Sequence, residues 1–235
     1  MPVKRSALWT SLVEMNGVEF LSWVATVTTI GVFLAGWRMC AQIRRQCSTQ
    51  NVIYFPFVAC WLNCVFWLKY GILLGDPAMI SVNIIGIIFQ FAYIFFYYYY
   101  ASEEQKAEIV RNCFLCFLLA FAVLGYVRAL VEDWDTAVSH LGVVCSVFTV
   151  LMYGAPLSAV KRVVKTRSTE CLPFPLCVAN FLASAEWSLY GYFIGSKAVE
   201  IANGLGALVA ALQLGLFLVY PSRTHYDLST SAPPV

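Results

Sequence analysis

Two amides and two indoles, each pair 120 residues apart, have the types and spacing for ligand chemistry. Asn83 and Asn203 lie deep in apolar runs, as do Trp67 and Trp187. A side-chain amide in hydrocarbon costs roughly 2–7 kcal/mol if unpaired. Each asparagine therefore needs a helix, water or a ligand as partner. Taken singly, asparagine in a membrane serves for an interhelical hydrogen bond, and tryptophan anchors at the lipid interface. Taken as pairs, two facing amides offer donors and acceptors that suit a polyhydroxylated ligand. Two facing indoles would hold the flat, C–H-rich face of a pyranose against their π-faces.

Other candidates are weaker. Glu186 is the one carboxylate well inside an apolar run, and an intramembrane acid suggests proton coupling or a buried hydrogen bond. Its partner 120 residues earlier is Phe66, so it is not part of a duplicated site. Pro56, Pro173 and Pro175 suit helix starts. Pro156 interrupts an apolar run and should kink it, and its counterpart is Gly36. Paired kinks would serve as hinges at one end of a pathway. Nine scattered cysteines lie mostly in apolar runs. The Cys113-x-x-Cys116 pair has no second pair and no nearby histidine, so helix packing explains it better than a metal or redox site. No metal, cofactor or catalytic constellation is expected.

The elements that position these residues must be membrane helices. The chain of 235 residues is 60% hydrophobic and 12% charged, against about 25% charged in soluble domains. Mean hydropathy is +0.73. Seven apolar runs reach the length a bilayer requires: Phe20–Cys40, Tyr54–Leu74, Ala78–Tyr100, Asn112–Val131, Val138–Ala159, Leu172–Ile194 and Ala198–Tyr220. Helix is expected throughout, because lipid leaves the backbone few other ways to satisfy itself. The tract before Glu19 is too polar for a cleaved signal peptide. The polar tail from Pro221 to Val235 reads as disordered.

Residues 21–100 laid on 141–220 without gaps match at 18 of 80 positions. About six would match by chance, so this is a duplicated unit. The predicted organisation is an N-terminal outer segment (1–19), a three-helix repeat (20–100), a linker with the fourth span (101–137), a second three-helix repeat (138–220) and a tail (221–235). The single linking span makes both copies enter the membrane from the same side, as parallel repeats with a site between them. Ten of the 15 Lys and Arg residues fall on one set of loops, from Arg38 through Arg223. That set should be cytoplasmic, which places the N-terminus outside or in a lumen and the C-terminus in the cytosol.

Three spans, one span and three spans with paired Trp and Asn resemble the SWEET sugar facilitators of the wider PQ-loop group. The similarity runs from about Glu19 to Pro221. Its most specific stretches are 147–158, Val163-Val164-Lys165-Thr166-Arg167-Ser168-Thr169-Glu170, Leu172-Pro173-Phe174, Trp187-Ser188-Leu189-Tyr190-Gly191 and Asn203-Gly204-Leu205-Gly206. The resemblance implies that Asn83 and Asn203 contact sugar hydroxyls and that Trp187 stacks on the ring, with Trp67 at a position that is small in many plant members and aromatic in many animal and bacterial ones. It implies that Asn63 and Met152 tune which sugar fits. It also implies that Pro56, Pro156 and Pro173 bend helices, with Gly36 in the fourth such place.

The function expected is bidirectional, uncoupled transport of a mono- or disaccharide, glucose first, in the plasma membrane or Golgi. The expected partners are sugar and the bilayer, with a homo-oligomer implied by the resemblance and no nucleic acid. A proton-coupled exporter of amino acids or other small solutes is the alternative that Glu186 motivates. A seven-span receptor or a sorting protein would not require the duplication.

Overall fold

A computed structural model describes residues 3–50, 52–129 and 133–221, and for 3–16 the backbone alone. Nine helices follow in order among them: α1 (Val3–Leu34), α2 (Trp37–Gln46), α3 (Phe55–Leu74), α4 (Pro77–Tyr100), α5 (Glu103–Ala129), α6 (Trp134–Met152), α7 (Gly154–Thr166), α8 (Phe174–Phe193) and α9 (Lys197–Val219). They make seven spans, because α1–α2 and α6–α7 are each one span broken near the middle. Six of the seven are apolar enough to cross a membrane on composition and length. The remaining one, α8, has the 20-residue length but carries Asn180, Glu186 and three Ser or Pro residues that lower its hydropathy.

The helix that carries the first apolar run begins at Val3, and the span-length segment Gly17–Gln46 covers the rest of α1 and all of α2. The second span of this kind breaks not at Pro156 but at Tyr153, where α6 ends and α7 begins. The reason is steric: a proline ring disturbs the carbonyl four residues back, which is that of Met152. The glycine-bearing span breaks at Ala35–Gly36 itself. The tail from 222 to 235, expected to be disordered, lies outside the described residues.

Each repeat packs as a three-helix bundle with its third helix in the middle. In one, α4 contacts α1, α2 and α3; in the other, α9 contacts α6, α7 and α8. Close approach inside each bundle depends on equivalent glycines. A Cβ on Gly71 would lie 2.9 Å from the Met79 Cβ, and one on Gly191 would strike the Glu200 backbone. The duplication extends to backbone conformation: the positive-φ residues Gly75 (67°) and Gly195 (69°) are equivalent, and so are Cys47 (47°) and Arg167 (50°).

The bundles meet along two symmetry-related interfaces, α1 with α8 and α3 with α6. Helix α5 is not duplicated. It docks mainly on α3, where Asn112 Nδ2 donates to the Tyr54 hydroxyl at 2.7 Å, and that hydroxyl donates to Glu108 Oε1 at 3.0 Å. The linker therefore rides with the first repeat.

Candidate functional site

Between the bundles, at mid-depth, lies a cavity of about 160 Å³. Trp67, Asn83, Trp187 and Asn203 all line it, with Asn63 beside them. Met152, at the end of α6, does not line it. Gly36 lies in the break between α1 and α2, Pro156 in the first turn of α7, Pro56 in the first turn of α3, and Pro173 is the N-cap of α8.

Helical periodicity explains the gathering. Asn83 sits one turn after Met79 on α4, and its Nδ2 donates to the Met79 carbonyl at 2.8 Å. Asn203 does the same with Val199 on α9 at 2.9 Å. Each amide therefore uses one N–H on its own helix. Among the described residues neither makes another hydrogen bond, which leaves an N–H and an Oδ1 per asparagine for whatever fills the cavity.

The indoles are held across the pseudo-axis. Trp67 Nε1 donates to Thr149 Oγ1 at 3.0 Å, and Trp187 Nε1 donates to Thr29 Oγ1 at 2.9 Å. Thr29 and Thr149 are themselves repeat equivalents. Each repeat's tryptophan is thus oriented by the other repeat's threonine. Trp67 packs edge-on against Tyr70 (5.5 Å, 84°) and Trp187 against Tyr190 (5.6 Å, 81°). A buried indole whose N–H is satisfied has a fixed ring plane, so both rings are preset before a ligand arrives. On one side the network extends further, where Thr149 Oγ1 donates to Asn63 Oδ1 at 3.1 Å.

Above the cavity, toward the 75–76 and 195–196 turns, the same exchange recurs. The Tyr190 hydroxyl donates to Asp76 Oδ2 at 2.6 Å, and the Tyr70 hydroxyl pairs with Ser196 Oγ at 2.8 Å. Asp76 and Ser196 are also the N-caps of α4 and α9, accepting from Met79 N and Val199 N. These two bonds tie the bundles together at that end. Toward the opposite end, the kinked segments α2 and α7 pack on α4 and α9 of their own bundles.

Sequence reading missed the threonines, the tyrosine latches and the capping pair. The signal existed for four of them: Thr29, Thr149, Tyr70 and Tyr190 are identities in the repeat comparison. Asp76 and Ser196 differ in type, and only their shared capping ability links them. Glu186 lies apart from this machinery, and its Oε2 is buried without a hydrogen-bond partner.

The geometry agrees with relationships found by comparison. A family model described as a sugar efflux transporter for intercellular exchange matches residues 19–105 and again 139–225. The sugar transporter SWEET1 of Drosophila pseudoobscura pseudoobscura is 34% identical over 220 residues, 92% of this chain and 97% of that protein. The Homo sapiens protein of the same name is 35% identical, covering 87% of this chain and 93% of its own length. The Caenorhabditis elegans one is 37% identical, covering 88% of this chain and 67% of its own. The solved structure of a eukaryotic SWEET transporter superposes with a TM-score of 0.79 at 27% identity, covering 86% of this chain and 97% of the other. A duplicated three-helix unit matched twice by one model, with relatives spanning nearly the whole chain, makes this protein a member of the SWEET sugar transporter family.

Proposed function

We propose that this protein carries a monosaccharide, glucose first among candidates, down its gradient in either direction by alternating access. The observation that carries the reading is the two-fold cavity, with Trp67 and Trp187 on its walls and the free edges of Asn83 and Asn203 beside them. Volume selects the size. A cavity of about 150 Å³ holds one benzene ring, so 160 Å³ matches one pyranose better than two. Asn63 is the residue that would discriminate between hexoses. The tightly held rings supply shape, and the asparagines replace the water hydrogen bonds a sugar loses on entry.

The distribution of Lys and Arg puts the Asp76 and Ser196 turns on the outer or lumenal side. The latched end is then the outer one, and the conformation faces the cytoplasm. Transport requires the latches to release while the kinked halves α2 and α7 swing together about the breaks at Gly36 and Tyr153, the second set by Pro156. Pro56 and Pro173, at the starts of α3 and α8, would let those helices tilt in step. No ion is needed, so flux follows the sugar gradient.

The test is labelled-glucose flux into liposomes holding the purified protein, beside Trp187→Ala and Asn203→Ala, with and without a pH gradient. Saturable flux that equilibrates, ignores the pH gradient and fails in both variants is expected. Undiminished flux in a folded Asn203→Ala protein would sink the paired-site reading.

A second reading rests on one observation, the buried, unpartnered Oε2 of Glu186. Intramembrane acids occur in proton relays, so this one would suit proton-coupled movement of an amino acid or similar solute. Uphill uptake driven by a pH gradient and abolished in Glu186→Gln would establish it.

A further inference from the structure

The cavity carries one feature that its two-fold design does not require. Cys60 and Cys64 stand one turn apart on α3, a spacing that puts both side chains on one face of a helix. Both line the cavity. Their equivalents in the second repeat are Asn180 and Ser184, so the dithiol occupies one wall only. Cys64 is held in place from behind. It is buried, and its Sγ lies only 2.7 Å from where a Cβ on Gly86 would stand. Cys60, half-buried, is the more accessible of the two.

No group of three His, Cys, Asp or Glu side chains able to hold a metal ion occurs among the described residues. Zinc takes four ligands at a structural site and three plus water at a catalytic one, so the pair does not suit it. Two soft sulfur donors suit a soft centre that takes two sulfurs. We infer that Cys60 and Cys64 form a dithiol site for trivalent arsenicals, and that filling it blocks the sugar pathway. The inference rests on the proposed transport reading for its effect on flux, though not for the binding itself.

The chemistry is condensation without redox change. An arsenic(III) oxide R–As=O meets the two thiols; both S–H bonds and the arsenic–oxygen bond break. Two As–S bonds form, and the two protons leave with the oxygen as one water. Burial slows the first attack, because the thiolate is the nucleophile. Cys60 opens on the cavity and takes that step. Closure onto Cys64 is then intramolecular, which raises its effective concentration. The organic group is left in the space between Trp67 and Trp187. Bound sugar should therefore protect the thiols, and a bound arsenical should exclude sugar.

Cys113 and Cys116, three residues apart on α5, provide the internal control. They pack into the hydrophobic clusters beside α5 and do not line the cavity.

The probe is phenylarsine oxide applied to the full-length protein in liposomes. Each variant is scored against its own untreated flux. Expected are loss of flux in wild type and in Cys113→Ser/Cys116→Ser, slowed by excess glucose. Dimercaptopropanol should restore it, where a monothiol at equal thiol concentration does not. Cys60→Ser and Cys64→Ser should each keep most of their flux. Peptide mapping of the wild type gives an independent readout, with one phenylarsenic per chain bridging Cys60 and Cys64. An adduct elsewhere, or inhibition that persists in Cys64→Ser, overturns the proposal. An adduct at Cys60 and Cys64 in a protein that moves no sugar leaves the site standing and removes the transport reading instead.

Discussion

The two interfaces between the repeats began as copies and have diverged at one level. At the mid-depth layer and at the latched end, α1–α8 and α3–α6 keep the same bonds. Tryptophan meets threonine across the axis twice, and tyrosine meets the cap of the opposite bundle twice. Next to the tryptophans they part. On α3–α6, fully buried Phe66 meets Phe148 edge to face at 5.0 Å. The equivalent residues on α8 and α1 are Glu186 and Thr28. There the Thr28 hydroxyl turns back to the Val24 carbonyl at 3.1 Å, and Glu186 Oε2 has no partner. The tryptophan–threonine and tyrosine–cap bonds have been kept in pairs, while the packing beside the tryptophans differs. Part of the cavity wall differs too, since Cys60, Asn63 and Cys64 have Asn180, Ala183 and Ser184 as their equivalents.

The largest effect that would sharpen this contrast is Phe66→Ala. Emptying a buried phenylalanine costs about 3–5 kcal/mol, so a clear drop in thermal midpoint in detergent is expected. Glu186→Ala at the equivalent position should cost far less, because it removes an unsatisfied oxygen. Equal destabilisation would break the distinction.

The latches come next. The Tyr190–Asp76 bond involves a carboxylate, and removing such a bond is worth about 1.5–3 kcal/mol, against about 0.5–1.5 for the neutral Tyr70–Ser196 pair. Tyr190→Phe and Tyr70→Phe leave both caps intact, so they isolate the latches. Thiol labelling of Cys60 in the cavity wall, by a reagent added from the Asp76 side, should rise more in Tyr190→Phe. Equal accessibility would show that the two latches share the load.

Gly36→Ala should give a smaller effect, confined to one repeat. The added methyl would collide with the Tyr93 ring, whose hydroxyl donates to the Phe33 carbonyl at 3.0 Å. Slower flux at unchanged sugar affinity is the expected outcome, and Pro156→Ala measures the counterpart hinge. The smallest effect lies at the start of α6. The Asp133 carboxylate accepts from the Thr136 hydroxyl and from Asp135 N, and these bonds hold it below its ordinary value. A depressed carboxyl contributes above its unfolded value near 4 and loses that contribution as pH falls through the folded one. Mild destabilisation on acidification, absent in Asp133→Asn, is the check.

The spans, their number and their pairing were legible in the sequence because hydropathy and an ungapped offset of 120 both survive in residue type. The cavity-lining asparagines and tryptophans were legible for the same reason. Met152 falls outside the cavity lining, at the residue where α6 ends before Pro156. Thr29 and Thr149 were overlooked because a lone threonine in an apolar run usually bonds its own helix, as Thr29 also does with Ala25. Only the superposed bundles reveal the indole that each one receives. The Asp76 and Ser196 caps were hidden by their difference in type.

The exchanged tryptophan–threonine bonds have a mechanical meaning. Pulling the bundles apart at that depth would strand two indole donors and cost about 1–3 kcal/mol for each. In the proposed alternating access, opening at either end keeps both bonds, and this layer acts as an axle that turns separation into rotation. Its stiffness is set by the hydroxyls of Thr29 and Thr149, which line the cavity themselves.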